Sequence, residues 1–291
     1  MNDTNACSVL VLGATGMLGN AMLRLFADSP GYHVTGSARS PAGVRLLRED
    51  LRPRVHVGVD VENPDSLAKL FGDVRPDVVI NCIGLVKQLA DADDPLMALP
   101  INALLPHRLA RLCRLVGARL VHISTDCVFS GRVGLYAETD PPDAQDLYGR
   151  SKLLGEVVDE AHAVTLRTSI IGHELASAHG LVGWFLSQQG SVRGFGRAVF
   201  SGFPTVELAR IVRDCVLPRL ELTGLYQVSA DPISKLELLR LVASEYGHTI
   251  DITPDDSVVI DRSLLSTPFR MATGYQPPAW SELVRRMHAF G

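Results

Sequence analysis

Short apolar runs alternate with amphipathic stretches through the first 170 residues of the chain. Apolar runs bounded by turn residues predict strands, because strands buried on both faces of a parallel sheet read as continuous hydrophobic segments. The predicted strands are Ser8–Leu12, His33–Ser37, Val55–Val59, Asp77–Cys82, Arg119–Ser124 and Val164–Thr168. Their alternation with helical stretches predicts an α/β fold, a Rossmann-type doubly wound parallel sheet with helices on both faces.

Cap residues indicate where helices begin in this region. Asn63 followed by Pro64 predicts an N-cap and a first helical residue. An Asn side chain can accept a hydrogen bond from a backbone amide of the first turn, and proline has no N–H that would be left unpaired at the first position. The predicted helices are Met17–Ala27, Pro64–Phe71, Ile101–Leu115 and one that carries Tyr148 and Lys152 and runs on through Glu156 and Val158.

Beyond Thr168 the alternation weakens and glycines become frequent, which is typical of loops that enclose a ligand. The elements predicted there are a helix capped by Thr205 that runs to Val216, a strand over Leu225–Ser229, a helix over Leu238–Tyr246 after the capping box Ser234-x-x-Glu237, and a last helix over Ser281–Phe290. We expect a dinucleotide-binding domain over 1–170 with a return segment around 203–224, and a smaller C-terminal α/β substrate lobe over 171–202 and 225–291.

Composition and charge exclude several classes of protein. A net charge of −4 in 291 residues gives no electrostatic footprint for nucleic acid. No apolar run reaches membrane-spanning length and the first residues do not have the pattern of a secretory signal, so we expect a cytoplasmic protein. The nine histidines show no metal-ligand spacing, which argues against a metal site, and His122 reads as a packed strand residue.

The cysteines number five, show no C-x-x-C pair and lie mostly in apolar surroundings. We therefore expect them to be reduced and structural. They are Cys7, Cys82, Cys113, Cys127 and Cys215.

A glycine-rich turn follows the first predicted strand and opens the first predicted helix. Gly13, Gly16 and Gly19 have the Gly-x-x-Gly-x-x-Gly spacing in which the backbone comes close to a pyrophosphate and the helix N-terminus supplies free N–H donors. The turn predicts dinucleotide binding by Gly13, Thr15, Gly16, Met17, Leu18 and Gly19.

The ends of the second and third predicted strands indicate which dinucleotide binds. An NAD-specific site places an acidic residue at the end of the second strand, whereas this chain has Arg39 there, which suits a 2′-phosphate. We expect NADP(H), with NAD(H) as the alternative. Alternatively, Arg39 is a solvated side chain. Asp60, next to Val61, either accepts a hydrogen bond from the adenine amino group or caps the following helix.

A hydroxyl, a phenol and an amine follow one another in an order that suits carbonyl reduction. Ser124-Thr125-Asp126 follows a strand, so Thr125 is expected at the carboxyl edge of the sheet. Tyr148 and Lys152 are four residues apart and share one helix face, where the ammonium can lower the pKa of the phenol toward neutrality. This set predicts proton transfer to a substrate oxygen.

Taken together, these motifs resemble the extended short-chain dehydrogenase/reductases, and within them the nucleotide-sugar 4-reductases of the dTDP-4-dehydrorhamnose reductase type. The resemblance extends over nearly the whole chain, through Gly13–Gly19, Val121–Gly131, Tyr148–Lys152, Leu166–Gly172, Gly202–Thr205 and Thr273–Pro278. It implies an NADPH-dependent reduction of the C4 keto group of a nucleotide-linked 4-dehydro-6-deoxyhexose in deoxysugar and cell-surface polysaccharide biosynthesis.

The resemblance also implies roles for individual residues. The implied catalytic residues are Thr125, Tyr148 and Lys152, with Cys82, Ile83 and Gly84 added to the cofactor site and Lys87, Asp126, Cys127, Arg193 and Arg197 to the substrate site. Arg193 or Arg197 would pair with the diphosphate; the alternative is that both are solvated. The oligomeric state stays open, with a homodimer as one option.

The chain departs from the pattern of the resembled family in two places near the sugar. Cys127 stands where a tyrosine is usual, and Asn81-Cys82-Ile83-Gly84 replaces Asn-Ala-Ala and an aromatic residue. Two alternative functions stay open: a non-catalytic NADP-binding regulatory subunit, and a nucleotide-sugar epimerase or dehydratase on the same scaffold. A dehydratase would need a glutamate beside Thr125 and Asp126, where this chain has Cys127.

Overall fold

All the strands predicted from the apolar runs form in the computed structural model, which describes residues 6–85 and 93–291. Their ends lie within two residues of the predicted ones, with the largest shifts at the carboxyl ends of β3 and β11. The strands are β1 Cys7–Leu12, β2 Tyr32–Ala38, β3 Val55–Val57, β4 Val78–Asn81, β5 Arg119–Thr125, β6 Ala163–Thr168, β7 Ile170–Ile171, β8 Ser191–Phe195, β9 Ala198–Phe200, β10 Phe203–Pro204, β11 Gly224–Gln227, β12 Ile233–Ser234, β13 Asp251–Asp255 and β14 Ile260–Asp261.

Two of the three predicted cap residues, Asn63 and Ser234, act as helix caps. Asn63 accepts from the amides of Asp65 and Ser66, and Ser234 accepts from the amide of Glu237. The α-helices are α1 Met17–Ala27, α2 Pro41–Val44, α3 Pro64–Val74, α4 Pro95–Ala98, α5 Leu105–Val116, α6 Leu147–Leu154, α7 Leu181–Ser187, α8 Thr205–Ile211, α9 Lys235–Tyr246, α10 Thr267–Thr273 and α11 Trp280–Phe290.

Three helix predictions were wrong in part. The helix α6 ends at Leu154 rather than continuing through Val158, because the chain turns there and carries Glu156 inward to a buried arginine. Thr205 lies inside α8, whose N-cap is Pro204, so its hydroxyl is not a cap. The predicted helix over 101–115 begins with a π-helical turn, Leu99–Leu104, before α5.

Seven parallel strands form the central sheet in the order β11-β6-β5-β4-β1-β2-β3. The order reverses between β1 and β4, and ligands of doubly wound sheets bind in the crevice at the carboxyl ends of the strands beside such a reversal. The predicted fold is confirmed. The strand β11 pairs with β6, so it lies in this sheet, whereas the predicted substrate lobe of 171–202 and 225–291 included most of this strand.

Alternate residues of each central strand enter two separate apolar layers. In β1, Val9 and Val11 pack with α1 and α8, whereas Leu10 and Leu12 pack with α3 and α5. This is the alternation expected of a parallel sheet covered on both faces. The layers hold the carboxyl ends of the strands at one edge, where the predicted chemical groups lie.

A third apolar cluster lies in the second half of the chain, around Phe185, Leu238 and Val284. Two small sheets accompany it, one in the order β12-β9-β14 and one pairing β13 with β8. Within the described ranges, no helix is both long and apolar enough to cross a membrane. The division of the chain into two domains stays a prediction.

Candidate active site

The glycine turn between β1 and α1 is held closed by contact between its first and last glycines. A Cβ at Gly19 would lie 2.0 Å from the carbonyl oxygen of Gly13, so a side chain there would force the turn open. Gly16 is the N-cap of α1 and has no side chain to satisfy the first amides of the helix. These free N–H groups and the positive end of the helix dipole can bind a pyrophosphate.

Backbone and side-chain hydrogen bonds tie this turn to the end of β2. The amide of Ala14 donates to the carbonyl of Ser37 over 2.9 Å, and the Ser37 hydroxyl lies 3.4 Å from the amide of Gly13. Arg39 follows directly after β2 and is exposed, so its guanidinium is accessible at the edge that carries the glycine turn. Its predicted contact with a 2′-phosphate stays a prediction.

Asp60 and Val61 lie on the neighbouring loop after β3. The Asp60 carboxylate accepts from the amide of Glu62 over 3.0 Å, and its own amide donates to the Ser66 hydroxyl. The carboxylate therefore organises the turn before α3, while Asn63 is the cap of that helix. A contact of this carboxylate with an adenine amino group stays a prediction.

Two asparagines, which sequence reasoning did not single out, hold the loop after β4. The Asn81 side chain accepts from the amide of Ile83 over 3.1 Å, and Asn102 accepts from the amide of Leu85 and donates to its carbonyl. Both side chains are buried. They place Cys82, Ile83 and Gly84 beside the glycine turn, where Ile83 is within reach of Gly13.

The signal for these asparagines was present in the sequence. A side-chain amide at the buried end of an apolar strand or inside an apolar helix needs hydrogen-bond partners, which predicts that it holds a neighbouring segment. Which segment it holds depended on the tertiary structure. Lys87, the predicted substrate ligand on the same loop, lies outside the described residues.

Thr125, Tyr148 and Lys152 meet at the carboxyl end of β5. The Thr125 hydroxyl donates to Asp126 Oδ1 over 3.2 Å and lies near enough to the Tyr148 phenol to lower its pKa, and the Lys152 Nζ donates to the carbonyl of Ile123 over 2.8 Å. Gly149 allows this approach, since a Cβ there would lie 2.2 Å from the carbonyl oxygen of Cys127. The three groups that were predicted to act together are brought together.

Burial sets the protonation of these groups in the chain itself. Burial raises the pKa of Tyr148, and nearby Cys127 raises it further. Burial lowers the pKa of Lys152 to about 8, and the carboxylate of Glu156 opposes that change. The direction at Tyr148 is opposite to the predicted one, because desolvation of the phenolate outweighs any help from an ammonium that is bound to the Ile123 carbonyl.

Asp126 and Cys127 form the turn that follows Thr125. Burial raises the pKa of Asp126, and the nearby Arg262 guanidinium opposes this. Burial likewise raises the pKa of Cys127 to about 12, so its thiol is protonated at neutral pH and is not a reactive thiolate. All five cysteines are free, as predicted.

Arg262 is a site residue that sequence reasoning missed. Its Nε donates to the carbonyl of Phe129 over 2.8 Å, and its charge acts on both Asp126 and Cys127. It reaches this turn from a segment more than 130 residues further along the chain. No local motif marks it, because only the fold brings that segment to the end of β5.

The two arginines predicted to pair with a diphosphate have different surroundings. Arg193 forms an ion pair of 3.0 Å with Asp255 across the β8–β13 pair, so its charge already has a partner. Arg197 is exposed in the turn between β8 and β9. In the described part of the chain, no group of three or more His, Cys, Asp or Glu side chains could hold a metal ion.

The seven-stranded parallel sheet and the glycine turn beside its order reversal define a Rossmann-type fold, with Thr125, Tyr148 and Lys152 at the carboxyl end of one strand. Residues 7–257 match the family described as the RmlD substrate binding domain, and the chain belongs to this family. The predicted resemblance is therefore confirmed.

Known proteins of two kinds are similar to the chain. It is 32% identical over 147 residues to methionine adenosyltransferase 2 subunit beta of Xenopus laevis, which is 50% of this chain and 41% of that protein. It is 35% identical over 150 residues to dTDP-4-dehydrorhamnose reductase of Burkholderia thailandensis, 51% of this chain and 44% of that protein. The matched stretch spans less than half the length of either relative.

A solved structure extends the similarity in fold over nearly the whole chain. The crystal structure of dTDP-4-dehydrorhamnose reductase from Bacillus anthracis in complex with NADP has a TM-score of 0.78 to this chain. The match covers 97% of this chain and 98% of that one at 22% sequence identity. At that identity the comparison establishes the shared fold.

Proposed function

We propose that this protein is an NADPH-dependent reductase that converts the C4 keto group of a nucleotide-linked 4-dehydro-6-deoxyhexose to an alcohol. The observation that carries the proposal is the meeting of Thr125, Tyr148 and Lys152 beside a glycine turn suited to a pyrophosphate. Membership of the RmlD family and the reductase from Burkholderia thailandensis support the sugar nucleotide as the substrate class.

The residues present fit a nicotinamide dinucleotide. The closed glycine turn leaves the first amides of α1 free, and the loop Cys82–Gly84 lies beside it. When bound, NADPH would supply the hydride that reduces the carbonyl carbon. Gly13, Thr15, Gly16 and Met17 would hold its pyrophosphate, and Arg39 its 2′-phosphate.

Each group at the end of β5 has a distinct task in this mechanism. Tyr148 carries a proton on its phenol at neutral pH, since a phenol has an ordinary pKa of about 10 and burial raises it further, and this proton can go to the forming alkoxide. The Thr125 hydroxyl, which donates to Asp126 Oδ1 in the structure, can rotate to donate to the same oxygen. Lys152 lies behind them, and its ammonium stabilises the phenolate left after transfer.

A panel of dTDP-, UDP- and GDP-linked 4-keto-6-deoxy sugars, followed by the absorbance of NADPH, tests the proposal and identifies the nucleotide. We expect net oxidation of NADPH with at least one member of the panel and none when the sugar is omitted. Tight binding of NADPH with no oxidation by any member would contradict the proposal and favour a non-catalytic NADP-binding subunit; the relative from Xenopus laevis is named as a subunit of methionine adenosyltransferase 2.

The same assay separates a reductase from an epimerase or a dehydratase. Those enzymes recycle their bound dinucleotide, so sugar conversion would proceed without net consumption of NADPH. The turn after Thr125 argues against a dehydratase, because Cys127 stands where its acid would be needed and its thiol has a pKa raised to about 12.

A further inference from the structure

Three side chains form a buried polar cluster directly behind the Thr125–Tyr148–Lys152 set. The Glu156 carboxylate accepts from the Ser124 hydroxyl over 2.7 Å and from Arg167 through two bonds of 2.8 and 2.7 Å. Glu156, Ser124 and Arg167 are 8%, 4% and 3% exposed. A buried ion pair is seldom the most stable filling of a core, so its position beside the site suggests a task.

The cluster adds to the contacts that join α6 and the segment after it to β5. Tyr148 meets Thr125, Lys152 binds the carbonyl of Ile123, and Glu156 binds the hydroxyl of Ser124. The residues on the α6 side are spaced by four, and their partners are consecutive residues of one strand. Arg167, on β6, gives the Glu156 carboxylate a second attachment through two further bonds.

We propose that Glu156 is a positioning residue: held by Ser124 and Arg167, its carboxylate fixes α6 against β5 and balances the charge of the Lys152 ammonium. This inference rests on the proposed reductase function for its catalytic meaning, but its geometry belongs to the chain alone. Glu156 does not reach the reacting atoms; it acts through Lys152 and Ser124.

Charged and titratable groups face Lys152 from several elements. Glu156 on the segment after α6 and Cys82 after β4 both raise its pKa, and the Lys152 charge in turn lowers the pKa of His122 in β5. Asp126 lies in the turn after β5 that packs on α6. Helix α4 and the π-helical turn 99–104, which also pack on α6, contain no ionisable residue. Glu156 is therefore the nearby carboxylate that acts most strongly on Lys152.

Lysine titration in the cofactor-free protein tests the charge balance directly. The chain has four lysines, Lys69, Lys87, Lys152 and Lys235, so 15N-lysine NMR gives few resonances, and that of Lys152 is identified by its loss in Lys152→Met. Glu156 raises the pKa of Lys152, so Glu156→Gln should lower the Lys152 midpoint, by about one pH unit if the effect has the usual size for a nearby opposite charge.

Ser124→Ala is the matched control, because it removes one bond to Glu156 and leaves the Glu156–Arg167 ion pair in place. Its Lys152 midpoint should stay at the wild-type value. An unchanged midpoint in Glu156→Gln, or an equal shift in both variants, would overturn the inference.

A second variant has the opposite expected sign and covers the case in which Glu156→Gln does not fold. Arg167→Gln leaves the carboxylate less neutralised, so the Lys152 midpoint should rise; an unchanged or lower midpoint counts against the inference. In turnover assays, Glu156→Gln should move the basic limb of the kcat profile to lower pH. Absence of turnover in the wild type would refute the reductase proposal and leave the lysine titration as an independent result.

Discussion

The glycine turn and the Thr125–Tyr148–Lys152 edge lie at the same end of the sheet but are built from different groups. The turn offers backbone amides, and its shape depends on the absence of side chains at Gly13 and Gly19. The edge offers side chains whose properties depend on burial, as the altered pKa values of Tyr148 and Lys152 indicate. The first region suits binding and the second suits proton transfer, so the two should fail separately.

Tyr148→Phe should separate the two regions most sharply. It removes the proton donor and leaves the glycine turn untouched, so kcat should fall by about 10²–10⁴-fold while NADPH affinity stays near wild type. Turnover of the sugar nucleotide and NADPH binding by fluorescence titration measure the two effects. Full activity in this variant would exclude Tyr148 as the donor.

Gly19→Ala should break the other region. The added Cβ would lie 2.0 Å from the carbonyl oxygen of Gly13, so the turn must open, with a loss of about 3 kcal/mol in the free energy of unfolding and weak NADPH binding. Gly72→Ala is the control: Gly72 lies in α3 with open space around it, and this change should stabilise by up to about 1 kcal/mol. Denaturant unfolding measures both, and equal effects would contradict the close packing of the turn.

Lys152→Met tests whether burial dominates at the edge. The pKa of Lys152 is lowered to about 8, so the folded state binds this proton less tightly than the unfolded chain, whose lysine has a pKa of about 10.4. The charged ammonium therefore costs stability at pH 7, and this cost disappears as the pH rises from about 8 to about 10.4.

Lys152→Met should accordingly stabilise the cofactor-free protein by roughly 1–2 kcal/mol at pH 7, after allowing for the lost bond to Ile123, and by less at pH 10. Lys69→Met, at an exposed position in α3, is the control and should change stability by less than about 0.5 kcal/mol. Thermal unfolding at both pH values measures the difference. A Lys152→Met variant destabilised equally at both would show that the hydrogen bond outweighs burial.

Arg39→Ala tests which dinucleotide the nucleotide region prefers, and its expected effect is the smallest of these changes. If Arg39 binds a 2′-phosphate, the KM for NADPH should rise about tenfold while the KM for NADH changes little, because only NADPH carries the charged partner. Arg54→Ala, at the amino end of β3, is the matched control and should leave both constants unchanged. Equal changes in the KM values for the two dinucleotides would show that Arg39 is a solvated side chain that does not bind the 2′-phosphate.

The two regions also differ in how far the sequence could predict them. The glycine turn was readable because its residues are contiguous and act through backbone geometry. Only the spacing of the proposed catalytic residues could be read from the sequence. The predicted lowering of the Tyr148 pKa was wrong, because the spacing of residues along a helix carries no information about desolvation. The ion pair of Arg193 with Asp255 could not be read from the sequence, because Asp255 lies on a strand far along the chain, and the pairing of Arg193 or Arg197 with a diphosphate stays a prediction.

Local rules determined the elements of this protein from its sequence: apolar runs became strands, and Asn63 and Ser234 became caps, because those choices depend on neighbours within four residues. Only the tertiary structure decided which side chains surround the site. Asn102 binds the backbone of Leu85, Arg262 binds the carbonyl of Phe129, and the turn after α6 brings Glu156 to Arg167. Such contacts depend on which distant segments share a buried space, and burial also sets the charge each group carries there.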